Sequence, residues 1–175
     1  MTWGQEVRFL HQRFDEEPLV GPLYGWRLFL NSDVLQALVS LFRTHLWAPN
    51  KTFEAGCSQS LPQPVPHVGH NCGFHVFYHK DPTIAYAMEY RARENGDPDR
   101  WVISVVKASG NIVLHDQGFR SSRLRIVAVS TLIRNKQLAD RLAQAGYQVA
   151  KNLDELATFA KYTADYYDIE EGKMS

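Results

Sequence analysis

Four side chains of the kinds that bind transition metals lie close together in the middle of the chain. Cys57, His67, His70 and Cys72 fall within sixteen residues, and Cys57 and Cys72 are the two cysteines of the sequence. Thiolate sulfur and imidazole nitrogen are the donors that tetrahedral zinc prefers. Three prolines in the same stretch restrict the loop, and a bound metal would hold it further. The residue types therefore predict a structural zinc site.

The exact ligand set is open at this stage. The spacing C-x9-H-x2-H-x-C differs from the ligand pairs of standard zinc fingers. His75 or His115 could take the place of His67. Four protein ligands would make a closed structural site, whereas three would leave a position for water and allow hydrolysis. The two cysteines could instead be buried thiols, or form a disulfide in an oxidising compartment.

A second polar group surrounds His115 and Arg120. A glycine, two serines and an arginine follow one another there, a combination that can hold an anion through backbone N–H groups and a guanidinium. The alternative is a hairpin loop with solvated arginines. Arg27 is the one charge in an apolar run, so it must pair with an acid such as Glu54 or Asp116, or line a pocket. The candidates for binding a phosphate or nucleotide are Arg27, His115, Arg120 and Ser121.

Composition excludes several classes of function. The 175 residues predict one globular domain spanning 1–175. Because 19 basic residues balance 19 acidic ones, general binding to nucleic acid or to an anionic membrane is not expected. The absence of a long apolar run or a signal-peptide pattern predicts a cytoplasmic protein. Motifs for nucleophile elbows, P-loops, dinucleotide-binding turns and zinc proteases are also missing.

The N-terminal half alternates apolar segments with loops. Residues 1–18 predict an amphipathic helix or arm that ends before a proline. Tyr24–Leu30 and Gly73–His79 are rich in aromatic and branched side chains and predict strands. Apolar spacing over Leu35–Leu46 predicts a helix, with a strand over Leu38–Phe42 as the alternative.

The middle of the chain predicts one helix and three strands. Asp81 followed by proline favours a helix start, and the helix should run to about Asn95. Trp101–Val106 and the segment ending at His115 predict a hairpin whose turn is Ser109-Gly110-Asn111. A further apolar strand is expected over Arg125–Ile133.

The C-terminal segment 125–167 predicts a βαβα unit. A helix capped by Asn135 ends at Gly146, a short strand follows, and a second helix runs from the cap Asn152 to Ala164. Such a unit implies one parallel strand pair. Residues 168–175 form an acidic tail, which we expect to be flexible. The whole pattern predicts an α+β fold with a mixed β-sheet of about five or six strands and flanking helices.

Several short motifs follow one another in a fixed order between residues 20 and 160. They are Gly25-Trp26-Arg27, the lone Cys57, Cys72-Gly73 before an aromatic residue, and Gly118-Phe119-Arg120. This order resembles a family of small proteins from actinobacteria and their phages. In that family the central motif usually reads Cys…Cys-x-Cys-Gly, and His70 stands here at the middle cysteine. The resemblance implies a zinc knuckle and supplies no reaction.

Two functions from different classes agree with these observations. One is a zinc-stapled binding module, in which the metal holds the proline-rich loop and the domain presents a surface to a protein or small-molecule partner. The alternative is a nucleotide- or NAD-using transferase resembling ADP-ribosyltransferases. That enzyme would need an Arg or His, a Ser-containing strand and a late Glu. The residues available for it are Arg27, His75, Ser104 or Ser121, and Glu155 or Glu170.

Overall fold

The structure is a computed structural model and describes residues 23–32, 35, 37–40, 45–57, 59, 65–67, 70–94, 100–115 and 117–160, with only the backbone for 89–94. Within these described residues, seven strands form one sheet, and three helices pack against it. The strands are β1 (Leu23–Ser32), β2 (Ala37–Val39), β3 (Leu46–Trp47), β4 (Thr52–Glu54), β5 (Phe74–Phe77), β6 (Trp101–His115) and β7 (Gly118–Thr131). The helices are α1 (Lys80–Glu94), α2 (Lys136–Gln144) and α3 (Leu153–Ala157). This confirms the predicted α+β class.

Three long strands form the centre of the sheet. β6 and β7 make an antiparallel hairpin, and β1 pairs antiparallel with β6, from Leu30 opposite Trp101 to Leu23 opposite Ala108. The first six residues of β6 are all buried. A continuous run of buried residues, rather than an alternating one, is what a strand covered on both faces requires.

The two faces of the sheet carry separate apolar clusters. One contains Phe29, Trp47 and Phe119 and is covered by α2 through Leu138 and Leu142. The other is built around Trp26, Phe77 and Ile103 and is covered by α3 through Leu156, with α1 packing at its side. Helices on both faces explain why successive residues of one strand can both be buried.

The C-terminal unit forms largely as the sequence predicts. The Asn135 side chain accepts a hydrogen bond from the backbone N–H of Leu138 at 3.0 Å, and Asn152 caps α3 in the same way. The expected parallel pair is reduced to a single bridge between Val129 and Val149. α3 ends at Ala157, and the predicted continuation to Ala164 runs beyond residue 160, outside the described residues.

The helix predicted over Leu35–Leu46 is wrong where the structure describes that segment. Ala37–Val39 forms β2 along the edge of β1, and Leu46–Trp47 forms β3. Leu38 and Trp47 are fully buried opposite each other. The spacing of these apolar residues fits both a helix and a strand, and pairing with β1 decides in favour of the strand. Residues 41–44 lie outside the described part, as does the predicted 1–18 helix.

The hairpin turn predicted at Ser109-Gly110-Asn111 is also wrong. β6 continues through these residues with a register shift between Ser109 and Ile112, and the chain reverses only after His115. Gly110 has φ 77°, a conformation that glycine adopts without strain. The backbone N–H of Asn111 donates to Ser122 Oγ at 2.9 Å. A bulge uses the same residue types as a turn, so the local sequence does not separate them.

α1 begins at Lys80, one residue before the predicted cap, and ends at Glu94. Within the part of the chain that the structure describes, no helix is long and apolar enough to cross a membrane.

Candidate metal centre

Three of the four predicted metal ligands meet at one point. The ligand atoms of Cys57, His70 and Cys72 all lie within 4.8 Å of one another. Cys57 Sγ is 3.5 Å from His70 Nδ1, and neither sulfur is in a disulfide. Cys72 is buried, whereas Cys57 and His70 are partly exposed. The arrangement can supply two sulfur donors and one nitrogen donor to a metal ion.

The register of the sheet explains why residues fifteen positions apart meet. β4 and β5 both pair with β7, on the edge that β6 does not occupy, and both run antiparallel to it. Ala55 donates its N–H to Ser122 O at 2.8 Å, and Phe74 lies opposite Ser121. β4 and β5 therefore lie end to end along the same edge of β7, and residues 56–73 connect them. We call these residues the inserted segment.

The two cysteines lie at the ends of the inserted segment. Cys57 follows β4, and Cys72 comes two residues before β5. Gly73 has φ 99°, and a Cβ at this position would lie 2.8 Å from Pro66 Cβ. The glycine therefore permits both the backbone turn and the close approach of the segment to itself. A metal bound here would close the base of the inserted segment.

Arg120 holds three described residues of the inserted segment, His67, His70 and Cys72, against the sheet. Its side chain is only 4% exposed. Nη1 donates to the carbonyl of Cys72 at 2.8 Å and to that of His70, and Nη2 donates to the carbonyl of His67 at 3.1 Å. Nε donates to His115 Nε2 at 2.8 Å. Burial lowers the pKa of Arg120, and the nearby Cys72 opposes that effect.

His67 lies beside the cluster but does not join it. Its ring centroid is 6.2 Å from that of His70, and its backbone N–H donates to Cys72 Sγ at 3.2 Å. The residue is 2% exposed, and neither ring nitrogen has a hydrogen-bond partner among the residues that the structure describes. Burying an imidazole nitrogen without a hydrogen-bond partner lowers the stability of the folded state. Two thiols and a second imidazole lie next to these nitrogens, and together the four side chains are donors that fit a metal ion.

The four residues predicted to bind an anion are divided between different surroundings. Arg120 and His115 are bonded to each other, and Arg120 also binds the inserted segment. Ser121 follows Arg120 in β7 and projects to the opposite face, where it is fully buried and donates to Arg123 O at 3.0 Å. Arg27 lies in β1 and donates to the carbonyl of His75, the residue opposite Arg120 in β5. The structure therefore joins Arg120 to His115 and places Ser121 on the opposite face of β7.

Arg27 is bound by a backbone carbonyl and aromatic rings. Its Nη1 donates to His75 O at 2.5 Å, and its guanidinium carbon lies 5.4 Å and 5.5 Å from the ring centroids of Phe29 and Trp47. Burial lowers its pKa to about 10. Glu54, one predicted partner, instead accepts from Arg123 Nε at 3.1 Å. The other predicted partner, at position 116, lies outside the described residues.

The residues named for a transferase make structural hydrogen bonds. Ser104 Oγ donates to Arg27 O at 2.9 Å. The carboxylate of Glu155 accepts the backbone N–H of Lys151 at 2.8 Å and so completes the start of α3. Position 170 lies outside the described residues. Burial and the neighbouring charges of Arg27 and Arg120 lower the pKa of His75 to about 4, so this imidazole is neutral near pH 7.

The sequence indicates the candidate ligands of this site but not the residue that supports them. Cysteine and histidine are recognisable by type, whereas the role of Arg120 depends on a strand register that no local pattern reports. Asn111 Nδ2 also donates to Val65 O at 3.3 Å, from the bulge that was predicted to be a turn. The only sign in the sequence was that His115 and Arg120 lie five residues apart in one polar cluster.

Comparison of the chain with protein-family models, curated proteins and solved structures finds no match. The resemblance to the actinobacterial and phage family therefore stays a prediction, and the function has to be inferred from the site itself.

Proposed function

We propose that the protein is a binding module whose inserted segment is held by a zinc ion. Cys57, His70 and Cys72 supply three ligands, and His67 supplies the fourth. The observation that carries the proposal is the convergence of two thiols and an imidazole within 4.8 Å at the base of the segment. The buried ring nitrogens of His67, which have no hydrogen-bond partner in the described part of the chain, support a fourth protein ligand.

The donor chemistry favours zinc over harder ions. Two thiolates and imidazole nitrogen suit zinc, whereas magnesium and calcium prefer oxygen ligands. Two thiolates also balance the charge of a divalent ion. Because Cys72 and His67 are buried, the neutralised site is compatible with its partly apolar surroundings.

A closed site implies a structural role for the metal. With four protein ligands, no position is left for an activated water. The nearby polar side chains of Arg120 and Ser121 are engaged in hydrogen bonds to backbone carbonyls. The metal would therefore fix the chain around its ligands and hold a surface there for a protein or small-molecule partner. Fixing a segment before binding reduces the entropy lost on association.

Metal analysis of protein purified without chelator tests this function. We expect one equivalent of zinc per chain and a lower melting temperature after chelation, because metal binding stabilises the folded state. Zinc below half an equivalent, together with unchanged melting after chelation, would remove the proposal.

Matched variants separate the site from general effects. His70→Ala and Cys72→Ser should lose zinc, whereas His79→Ala should retain it because His79 is exposed and outside the cluster. His67→Gln tests the fourth ligand: we expect zinc affinity to fall by at least about tenfold. Unchanged affinity in that variant would indicate a three-ligand site with an open position.

A further inference from the structure

We propose that the same two sulfurs form a thiol switch, in which a peroxide joins Cys57 to Cys72 as a disulfide and the metal is released. Release of zinc rests on the proposed function, whereas disulfide formation rests on the geometry of the two cysteines alone. Their sulfurs lie within 4.8 Å of each other and are not bonded. They are the two cysteines of the chain, so each is the other's only intramolecular partner.

The distance is short enough for a bond without rearranging the sheet. A disulfide requires the sulfurs to approach to about 2.0 Å. Both cysteines lie outside the paired strands, Cys57 after β4 and Cys72 before β5. Rotation of the side chains, with small shifts of these flanking residues, can close the gap while the strand pairing with β7 is kept.

The two cysteines differ in a way that sets the order of the steps. Cys57 is partly exposed, so a small oxidant can reach its sulfur. Cys72 is buried, where its sulfur accepts the backbone N–H of His67 at 3.2 Å and lies close enough to interact with the charge of Arg120. Exposure favours Cys57 as the first site of oxidation, and the neighbouring Cys72 then resolves the product.

The reaction balances with one molecule of hydrogen peroxide. The Cys57 sulfur attacks one peroxide oxygen, the O–O bond breaks, and Cys57 becomes a sulfenic acid while hydroxide leaves. The Cys72 sulfur then attacks the Cys57 sulfur, an S–S bond forms, and a second hydroxide leaves. Two protons convert these hydroxides to water. The two cysteines lose two electrons, peroxide gains them, and zinc departs without its two thiolate ligands.

The switch would exchange one cross-link for another at the same place. The disulfide joins the same two ends of the inserted segment, so its base stays closed. His67 and His70 lose their metal, and the surface around the partly exposed His70 changes. Oxidation would thus alter partner binding without unfolding the domain, and a thiol reductant with zinc would restore the first state.

The experiment exposes two samples, zinc-loaded and metal-free, to hydrogen peroxide. Zinc is followed with a chromophoric chelator, free thiols by titration, and the product by intact mass and peptide mapping. We expect thiols to fall from two per chain to none, a mass loss of two hydrogen atoms, a Cys57–Cys72 peptide, and release of all bound zinc. Dithiothreitol with added zinc should reverse each change.

The outcomes separate this proposal from the proposed function. A Cys57–Cys72 disulfide in a protein that never binds zinc would overturn the metal site and keep the sulfur pair. Zinc binding with oxidation only to sulfinic acid, or only to disulfides between chains, would overturn the switch and keep the metal site. His70→Ala retains both sulfurs, so it should still form the disulfide after its zinc is lost. Cys57→Ser should form none within one chain.

Discussion

Arg120 connects the sheet to the inserted segment through one planar group. Its guanidinium donates to carbonyls of His67, His70 and Cys72, and its Nε donates to His115. Donors on three nitrogens, fixed in one plane, can satisfy several acceptors at once. Lysine carries one compact ammonium and cannot reproduce this geometry. The positions of the candidate metal ligands therefore depend on a residue outside the cluster.

Replacing Arg120 with lysine should weaken both the fold and the metal site. Several buried carbonyls would lose their donors, so we expect the free energy of unfolding to fall by about 2–4 kcal/mol. Zinc affinity should fall as well, because the loop carbonyls no longer fix the ligands. Urea denaturation and competition with a zinc chelator measure the two effects.

Arg123→Lys is the matched control for that substitution. Arg123 is exposed and pairs with Glu54 at 3.1 Å, so the expected change in stability is within about 0.5 kcal/mol. Equal effects of the two substitutions would contradict the role given to Arg120.

His75 should make the protein sensitive to acid. Its pKa is lowered from 6.5 to about 4 in the folded protein, first by burial and then by Arg27 and Arg120. The unfolded chain therefore binds a proton before the folded one does. The stability due to His75 is complete above pH 6.5 and is lost as the pH falls towards 4, by up to about 3 kcal/mol.

His75→Gln should remove this part of the acid sensitivity while keeping a hydrogen-bond donor. The measurement is urea denaturation of both proteins between pH 4 and 7.5, after chelation so that protonation of metal ligands does not contribute. The variant should lose less stability than the natural chain as the pH falls. Parallel curves for the two proteins would show that His75 titrates normally.

At the scale of elements, the site depends on β4 and β5 lying in one line along β7. The absence of a side chain at Gly118 in β7 allows β5 to pack closely against β7. A Cβ at Gly118 would lie 2.0 Å from the carbonyl oxygen of Val76 in β5. Only glycine allows the two backbones to approach this closely.

Gly118→Ala should therefore disturb the pairing of β5 with β7. We expect the free energy of unfolding to fall by at least about 3 kcal/mol, because backbone atoms must move apart. Gly56→Ala is the control, since a Cβ there meets nothing within 4 Å. Thermal or urea unfolding gives both values. A small loss of unfolding free energy in Gly118→Ala would mean that β5 can shift away from β7 without destabilising the fold.

The elements could be predicted where local signals and tertiary pairing agree. Asn135 and Asn152 cap helices as expected, because capping is decided by the residue itself. The predictions were wrong at Leu38 and at Gly110. The local sequence allows a helix or a strand at Leu38 and a turn or a bulge at Gly110, and pairing with β1 and β7 determines which one forms. The end-to-end arrangement of β4 and β5 is likewise set by their pairing register with β7, and no local sequence pattern indicated it.

At the scale of the whole molecule, stability should be greatest in the central strands. β1 has neighbours on both edges, and β6 lies between β1 and β7. β3 and β4 lie at the two ends of the sheet path and are short. Pairing on both sides and burial on both faces oppose local opening.

Native-state hydrogen exchange measures this difference. We expect the amides of β1 and β6 within the buried centre to exchange only through global unfolding. The amides of β3 and β4 should exchange faster, through local opening. Equal protection of β4 and β6 would show that the sheet opens as one unit.

The main partner of β1, β6, lies late in the chain, which affects how the protein is made. Leu30 pairs with Trp101 and Leu23 with Ala108, so β1 leaves the ribosome long before β6. At ~5–20 residues per second, translation leaves this apolar strand without its main partner for several seconds. We expect limited proteolysis of stalled nascent chains to cut β1 until β6 and β7 have emerged. During that interval we expect the strand to bind chaperones that recognise extended apolar peptides.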